Sequence, residues 1–147
     1  MKVLSLIQPW ASLVVIGAKQ IEVRKWKTTY RGELLIHASK GFPGEYQYLC
    51  WQEPFKSVLK TAHLSVENLP LGAVIGKVVL KDCKMIVDKP EEFLKEAEMI
   101  APPSPERDFD DYSVGKWAWI FSHAELFKTP IPAKGALRLW DFEWEGR

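Results

Sequence analysis

Apolar positions come in short clusters along this chain, and their spacing alternates between two periods. Residues 3–7 form an unbroken apolar-rich run that predicts a first strand, stopped by Gln8-Pro9. Proline is well placed at a first helical position, and Trp10, Leu13 and Val14 follow at helical spacing. Gly17 then stands where a C-terminal glycine cap belongs, so residues 9–16 read as a short helix with one apolar face. Beyond it the period drops to two: Ile21 and Val23 alternate with Glu22 and Arg24. That places Glu22 and Arg24 on one face of a strand and the two aliphatics on the other. A further β-type run, residues 33–38, follows Gly32 and ends at Ser39-Lys40-Gly41.

The middle of the chain is helical in pattern. Tyr46, Leu49 and Cys50 make one apolar turn, and Phe55, Val58 and Leu59 make a second, with Pro54 between them. Leu69-Pro70-Leu71-Gly72 reads as a turn into a long β-rich stretch, residues 73–87, with a bend or bulge at Lys81-Asp82-Cys83-Lys84. Residues 90–99 read as a helix, with Pro90 at its start and acids in its first turn. Residues 101–113 are rich in Pro and Asp and read as a mobile loop, a natural lid or insertion. The last strands are residues 117–121 and 137–144, joined through Pro130-Ile131-Pro132 and Lys134-Gly135. Strands and helices that do not strictly alternate argue for an α+β fold. The expected form is a curved, mostly antiparallel sheet or small β-barrel with helices outside it.

Length and composition fit one domain, residues 1–147, with 47% hydrophobic residues and no need of staples. Cys50 and Cys83 sit in apolar contexts without a CxxC pair, and His37, His63 and His123 lack metal-ligand spacing. Both thiols therefore read as small buried hydrophobes, and neither a metal nor a cofactor is expected. The first residues are too quickly interrupted by Gln8-Pro9 for a signal peptide, and no apolar run reaches the roughly 18 residues of a membrane span. The expectation is a cytoplasmic protein that does not enter a membrane.

Net charge is only +1, but it is unevenly spread. Residues 1–60 carry nine Lys or Arg against four acids; residues 61–147 carry eleven against fifteen. The basic excess gathers at Lys19, Arg24, Lys25, Lys27, Arg31 and Lys40, and the acidic excess lies between Asp88 and Asp111. Such asymmetry offers a face to an anionic partner; scattered solvated lysines are the plainer reading.

The stretch that gathers chemistry is Gly17-Ala-Lys19-Gln-Ile-Glu22-Val-Arg24. It brings an ammonium, a carboxylate and a guanidinium together. A carboxylate beside two cations stays ionised, and a lysine beside an arginine can have its pKa lowered and become a base. A salt-bridge network at a strand edge is the alternative. Trp10 serves either the core or a cleft. Trp26, among lysines, is the better stacking platform for a base. Gln8 at a strand end is placed to read a base edge. Arg31 with Gly32 allows a phosphate to approach the backbone, and Ser39-Lys40 offers another phosphate contact. His37, inside a strand, reads as a core histidine. Asp108, Asp110 and Asp111 read as a solvated loop before a metal site.

Gly-x-Lys-x-x-Glu-x-Arg resembles the signature of the ASCH domain family, of the PUA-like superfamily. Gln8-Pro9-Trp10-Ala11-Ser12, Tyr30-Arg31-Gly32, Gly76, Trp119 and Trp140 appear in the order that resemblance expects, across essentially the whole chain. The resemblance implies a PUA-like β-barrel with helices around it, and a cleft for RNA or a nucleotide-like small molecule. Some small members remove the acetyl group from N4-acetylcytidine, and others are ribonucleases. The deacetylating members carry Lys at the position of Lys19 and Thr at that of Glu22. This chain keeps the lysine and departs at Glu22. The missing hydroxyl favours a binding module, with site residues Gln8, Trp10, Lys19, Glu22, Arg24, Trp26, Arg31, Gly32, Ser39 and Lys40. Catalysis by Lys19 and Glu22, on a modified nucleobase or on RNA, is the alternative, and an adaptor with a protein partner is the third reading.

Overall fold

The computed structural model describes residues 1–146. Its frame is a seven-stranded mixed sheet whose order is β2-β6-β4-β3-β1-β7, with β5 beside β4. The strands are β1 (Lys2–Leu6), β2 (Ile21–Arg24), β3 (Gly32–Ala38), β4 (Ala73–Ile86), β5 (Glu98–Met99), β6 (Trp117–Pro132) and β7 (Leu139–Asp141). The helices are α1 (Trp10–Val15), α2 (Gly44–Leu49) and α3 (Phe55–Thr61). The long strands β4 and β6 run antiparallel from Ala73–Pro132 to Met85–Trp117, and their register shifts at three places, the last between Leu80 and Asp82. Each shift adds local twist, so the sheet curls into a half-barrel with β2 and β7 at its edges. The pairs β1/β3 and β4/β5 are parallel; the other four are antiparallel. No helix among the described residues is long and apolar enough to cross a membrane.

Helix α1 lies against the curled sheet. Ala11, Val14 and Val15 join Leu34, Ile36, Val78 and the fully buried Trp119 in the main core. Burying each such aliphatic side chain contributes roughly 1.5–3 kcal/mol. Gly76 permits the approach: a Cβ there would stand 2.2 Å from the Glu125 carbonyl oxygen and 2.7 Å from Val15 Cγ1. The other side of α1 buries Leu13 with Phe55, Leu59 and Phe109, tying α3 and the acidic segment to the same helix.

Two stretches differ from the pattern reading. Residues 90–99 form a 3-10 turn at Glu91–Phe93 and then β5, not a helix. Phe93 is 66% exposed, while Met99 packs against Ile86 and the extended chain pairs with β4. Met85 N–H donates to the Ala97 carbonyl and Val87 N–H to that of Met99. Strand β6 also runs on to Pro132, so Pro130-Ile131-Pro132 belongs to the strand and not to the connection. Ala133 N–H donates inward to Gly72, so the alternate positions Pro132 and Pro130 turn their missing donors to an unpaired edge, where proline is tolerated.

Candidate functional site

After α1, Gly17 takes φ +81° and turns the chain back, and Lys19 N–H donates to the Leu13 carbonyl at 3.0 Å. The Lys19 side chain is thereby tucked beneath β2 and is 0% exposed. Its ammonium donates to Glu22 Oε1 at 2.9 Å, to Asp110 Oδ2 at 2.7 Å and to the Ile21 carbonyl. An ammonium has three hydrogens, and all three have acceptors. Burial alone would lower the Lys19 pKa; the Glu22 and Asp110 carboxylates outweigh it and hold the group above the ordinary lysine range. This reverses the sequence expectation of a lowered lysine pKa.

Alternation in β2 follows the period-two pattern. Ile21 and Val23 pack with Ile86 and Ala118, while Glu22 and Arg24 turn to the other face. The outer edge of β2 is closed by the acidic segment. Glu106 accepts from Gln20 N–H at 2.8 Å and Ile21 N–H at 3.4 Å, and Asp110 Oδ2 accepts from Val23 N–H at 3.0 Å. Residues 101–113 are therefore not a free lid: Phe109 is buried, and Glu106 and Asp110 clasp the edge that would otherwise template pairing. Burial raises the Glu106 pKa against the hydrogen bonds it accepts. The buried Tyr112 hydroxyl makes no hydrogen bond among the described residues, and burial together with Glu106, Asp110 and Glu22 pushes it far above the ordinary phenol range.

Two clefts meet at Ile7 and Arg24. The smaller, about 520 Å³, is walled by Trp10, Tyr46, Glu22 and the acids Asp108, Asp110 and Asp111. Trp10 and Tyr46 meet edge to face at 4.8 Å, and Trp10 Nε1 donates to the Phe109 carbonyl at 2.6 Å. Trp10 thus serves core and cleft at once. The larger cleft, about 1020 Å³, contains Arg24, Lys40, Lys134 and Arg138 and, among the described residues, no carboxylate. Arg24 Nη2 donates to the Ser5 carbonyl at 2.9 Å; its Nε is 3.8 Å from Glu22 Oε2 and has no hydrogen-bond partner among the described residues. Trp26 also lines the larger cleft, set edge to face on Trp119 at 4.6 Å with the Arg138 guanidinium 4.7 Å from its ring centroid.

His37 supports the far wall. Its Nε2 faces the Ala133 carbonyl at 2.7 Å, which can only accept, so Nδ1 accepts from the Ser5 hydroxyl at 2.9 Å. Ser5 Oγ in turn accepts from Trp140 Nε1 at 3.0 Å. Gly135 passes over this ring so closely that a Cβ would stand 2.6 Å from His37 Cε1.

The structure gathers Trp10, Lys19, Glu22, Arg24, Trp26, Ser39 and Lys40 in or directly behind the two clefts. Gln8 is elsewhere: it is buried, with its amide donating to Ser12 Oγ and the Pro70 carbonyl and its oxygen accepting from Ser12 N–H. Arg31 folds onto its own loop at the Thr28 and Tyr30 carbonyls, 3.7 Å from Asp82, and Gly32 begins β3 outside both clefts. Sequence reasoning missed Tyr46, Asp110, Lys134 and Arg138. Only the pairing of Lys134 and Arg138 across Gly135-Ala136-Leu137 hinted at a basic connection.

The ASCH domain family model matches residues 4–131. Activating signal cointegrator 1 from Mus musculus and from Homo sapiens are each 28% identical over 141 residues, covering 95% of this chain. The chain spans only 22% of the length of those relatives. Among solved structures, an ASCH crystal structure from Zymomonas mobilis superposes with TM-score 0.52 at 17% identity, over 98% of this chain and 88% of that one. A crystal structure of a serine-to-alanine mutant of the same Zymomonas mobilis protein gives TM-score 0.51 at 16% identity, over 97% and 87%. The likeness to these structures is one of fold.

Proposed function

Because the chain belongs to the ASCH domain family, we propose that it binds single-stranded RNA, with phosphates along the larger cleft. The observation that carries this reading is that cleft's composition among the described residues: four cationic side chains, one tryptophan and no carboxylate side chain. Phosphate neutralisation by Lys and Arg supplies most of the affinity for a nucleic acid, and a tryptophan supplies sequence-tolerant stacking. Lys40 and Lys134 are exposed, free to meet a polyanion, while Arg24 and Trp26 are half-buried and held in place by neighbours.

The hydrolytic alternative has less support. A general base needs a free lone pair, and Lys19 is a saturated ammonium with a raised pKa. Glu22 offers no hydroxyl nucleophile, and Thr28 lies outside both clefts with its Oγ1 accepting from Tyr30 N–H. In this reading Lys19 is the post that orients Glu22.

Fluorescence anisotropy with a labelled single-stranded RNA tests the proposal. The double variant Lys40→Glu/Lys134→Glu is expected to lose about tenfold or more in affinity and to flatten the salt dependence, since each phosphate contact contributes a log–log slope of about 0.7. Wild-type affinity in the folded double variant overturns it.

A further inference from the structure

The two clefts share a wall yet have opposite character, and that contrast says what the smaller one holds. A ligand seated on Arg24 reaches both, because Ile7 and Arg24 line each. The phosphates of such a ligand are directed away from the smaller cleft, where Glu22, Asp108, Asp110 and Asp111 outnumber the Arg24 guanidinium in the lining and the Lys19 and Lys116 ammoniums behind it. What enters there is the uncharged or positive part.

Two features select a positive part. The Glu22 side chain is only 10% exposed, and its one hydrogen bond is through Oε1 to Lys19. Oε2 accepts no hydrogen bond among the described residues, with Arg24 Nε at 3.8 Å as its cationic neighbour, and Glu22 lines the cleft, so this oxygen can take a donor from a ligand. Trp10 and Tyr46, packed edge to face on each other, line the same cleft, and aromatic rings attract delocalised cations. A metal ion is a poor occupant. Asp110 is already engaged by Lys19 and Val23 N–H, and Asp111 by Ser113 and Lys116. Among the described residues no group of three His, Cys, Asp or Glu is arranged to hold one. A flat cation with N–H donors fits better than a hard one that demands several oxygens.

Resting on the RNA-binding reading, we infer that the smaller cleft receives a nucleobase bearing a formal positive charge, of the ring-N-methylated kind. Its amino group donates to Glu22 Oε2, its ring lies against Trp10 and Tyr46, and the adjoining phosphates occupy the basic cleft. Arg24 sits at the junction, its guanidinium toward the sugar-phosphate side.

The test uses three single-stranded RNA oligonucleotides that differ at one position: cytidine, 3-methylcytidine, which is a cation at neutral pH, and its uncharged isomer N4-methylcytidine. The full chain is expected to bind the 3-methylcytidine strand about tenfold tighter than both others, a difference of the size that a desolvated cation–aromatic contact provides. Glu22→Gln is expected to abolish that preference. Asp108→Asn, at an exposed position whose folding is not at risk, is expected to reduce the preference part of the way. Lys40→Glu/Lys134→Glu is expected to weaken all three strands equally and keep the ratio. Tight but equal binding of the three strands by wild type overturns the inference and leaves the RNA-binding reading standing. A preference shared by N4-methylcytidine also overturns it, because the methyl group and not the charge is then read. Failure to bind any strand overturns the reading and the inference together.

Discussion

Lys19 Nζ lies 2.7 Å from Asp110 Oδ2, joining the chain's most basic stretch to its most acidic one across 91 residues. With Glu22 on its other side, the ammonium fixes the carboxylate that faces the smaller cleft. Breaking a buried pair leaves an uncompensated charge, at a cost of about 3–5 kcal/mol. Lys19→Met is therefore expected to lower unfolding free energy by about 3 kcal/mol in urea titration. The triple variant Lys19→Met/Glu22→Gln/Asp110→Asn, which removes the stranded charges too, is expected to recover part of that loss. A single variant as stable as wild type would show that the triad carries no stability.

The same triad predicts an alkaline limit. The folded pKa of Lys19 lies above its unfolded value, so protonation favours the folded state. Its contribution is whole below the ordinary lysine value of 10.5 and is lost as pH rises through the higher folded value. Urea midpoints in that range are expected to fall more steeply for wild type than for the triple variant. Parallel pH profiles would contradict this assignment.

Gly76 is the narrowest point between α1 and the sheet. A methyl group there meets a backbone oxygen at 2.2 Å, which cannot give way as a side chain would. Gly76→Ala is expected to cost about 2–3 kcal/mol by thermal or urea unfolding, in the range of overpacked cores. An unchanged midpoint would mean that α1 is free to lift.

Gly135 tests the connection between β6 and β7 where it crosses the buried His37. A Cβ there collides with His37 and Ser5 at 2.6–2.8 Å and must push the chain that carries Lys134 and Arg138 outward. Gly135→Ala is expected to weaken RNA binding by about threefold to tenfold while circular dichroism is unchanged, as for displaced phosphate contacts. Wild-type affinity would show that this segment does not hold the ligand.

How much of this was readable beforehand depends on the range of each interaction. Ile21 and Val23 could be assigned because a period-two pattern is local, and they pack as expected. The α+β half-barrel followed from strands that did not alternate with helices. Gln8 misled because an amide beside a proline looks available, yet Ser12, one helical turn on, takes both ends of it. Residues 90–99 misled because proline and acids mark a helix start, whereas an open edge of β4 offered better backbone partners. Asp110 was unreadable for a different reason. Nothing local separates a solvated loop aspartate from one that pairs with a buried lysine 91 residues away.

The most direct measurement of the central claim is a chemical-shift titration of the labelled protein with single-stranded RNA. The account predicts the largest shifts at Trp26 Nε1–H and at the amides of Ser39, Lys40 and residues 133–138, with Arg31 and Gly32 unmoved. Shifts centred instead on Arg31, Gly32 or the exposed lysines of α3, with the basic cleft silent, would contradict it.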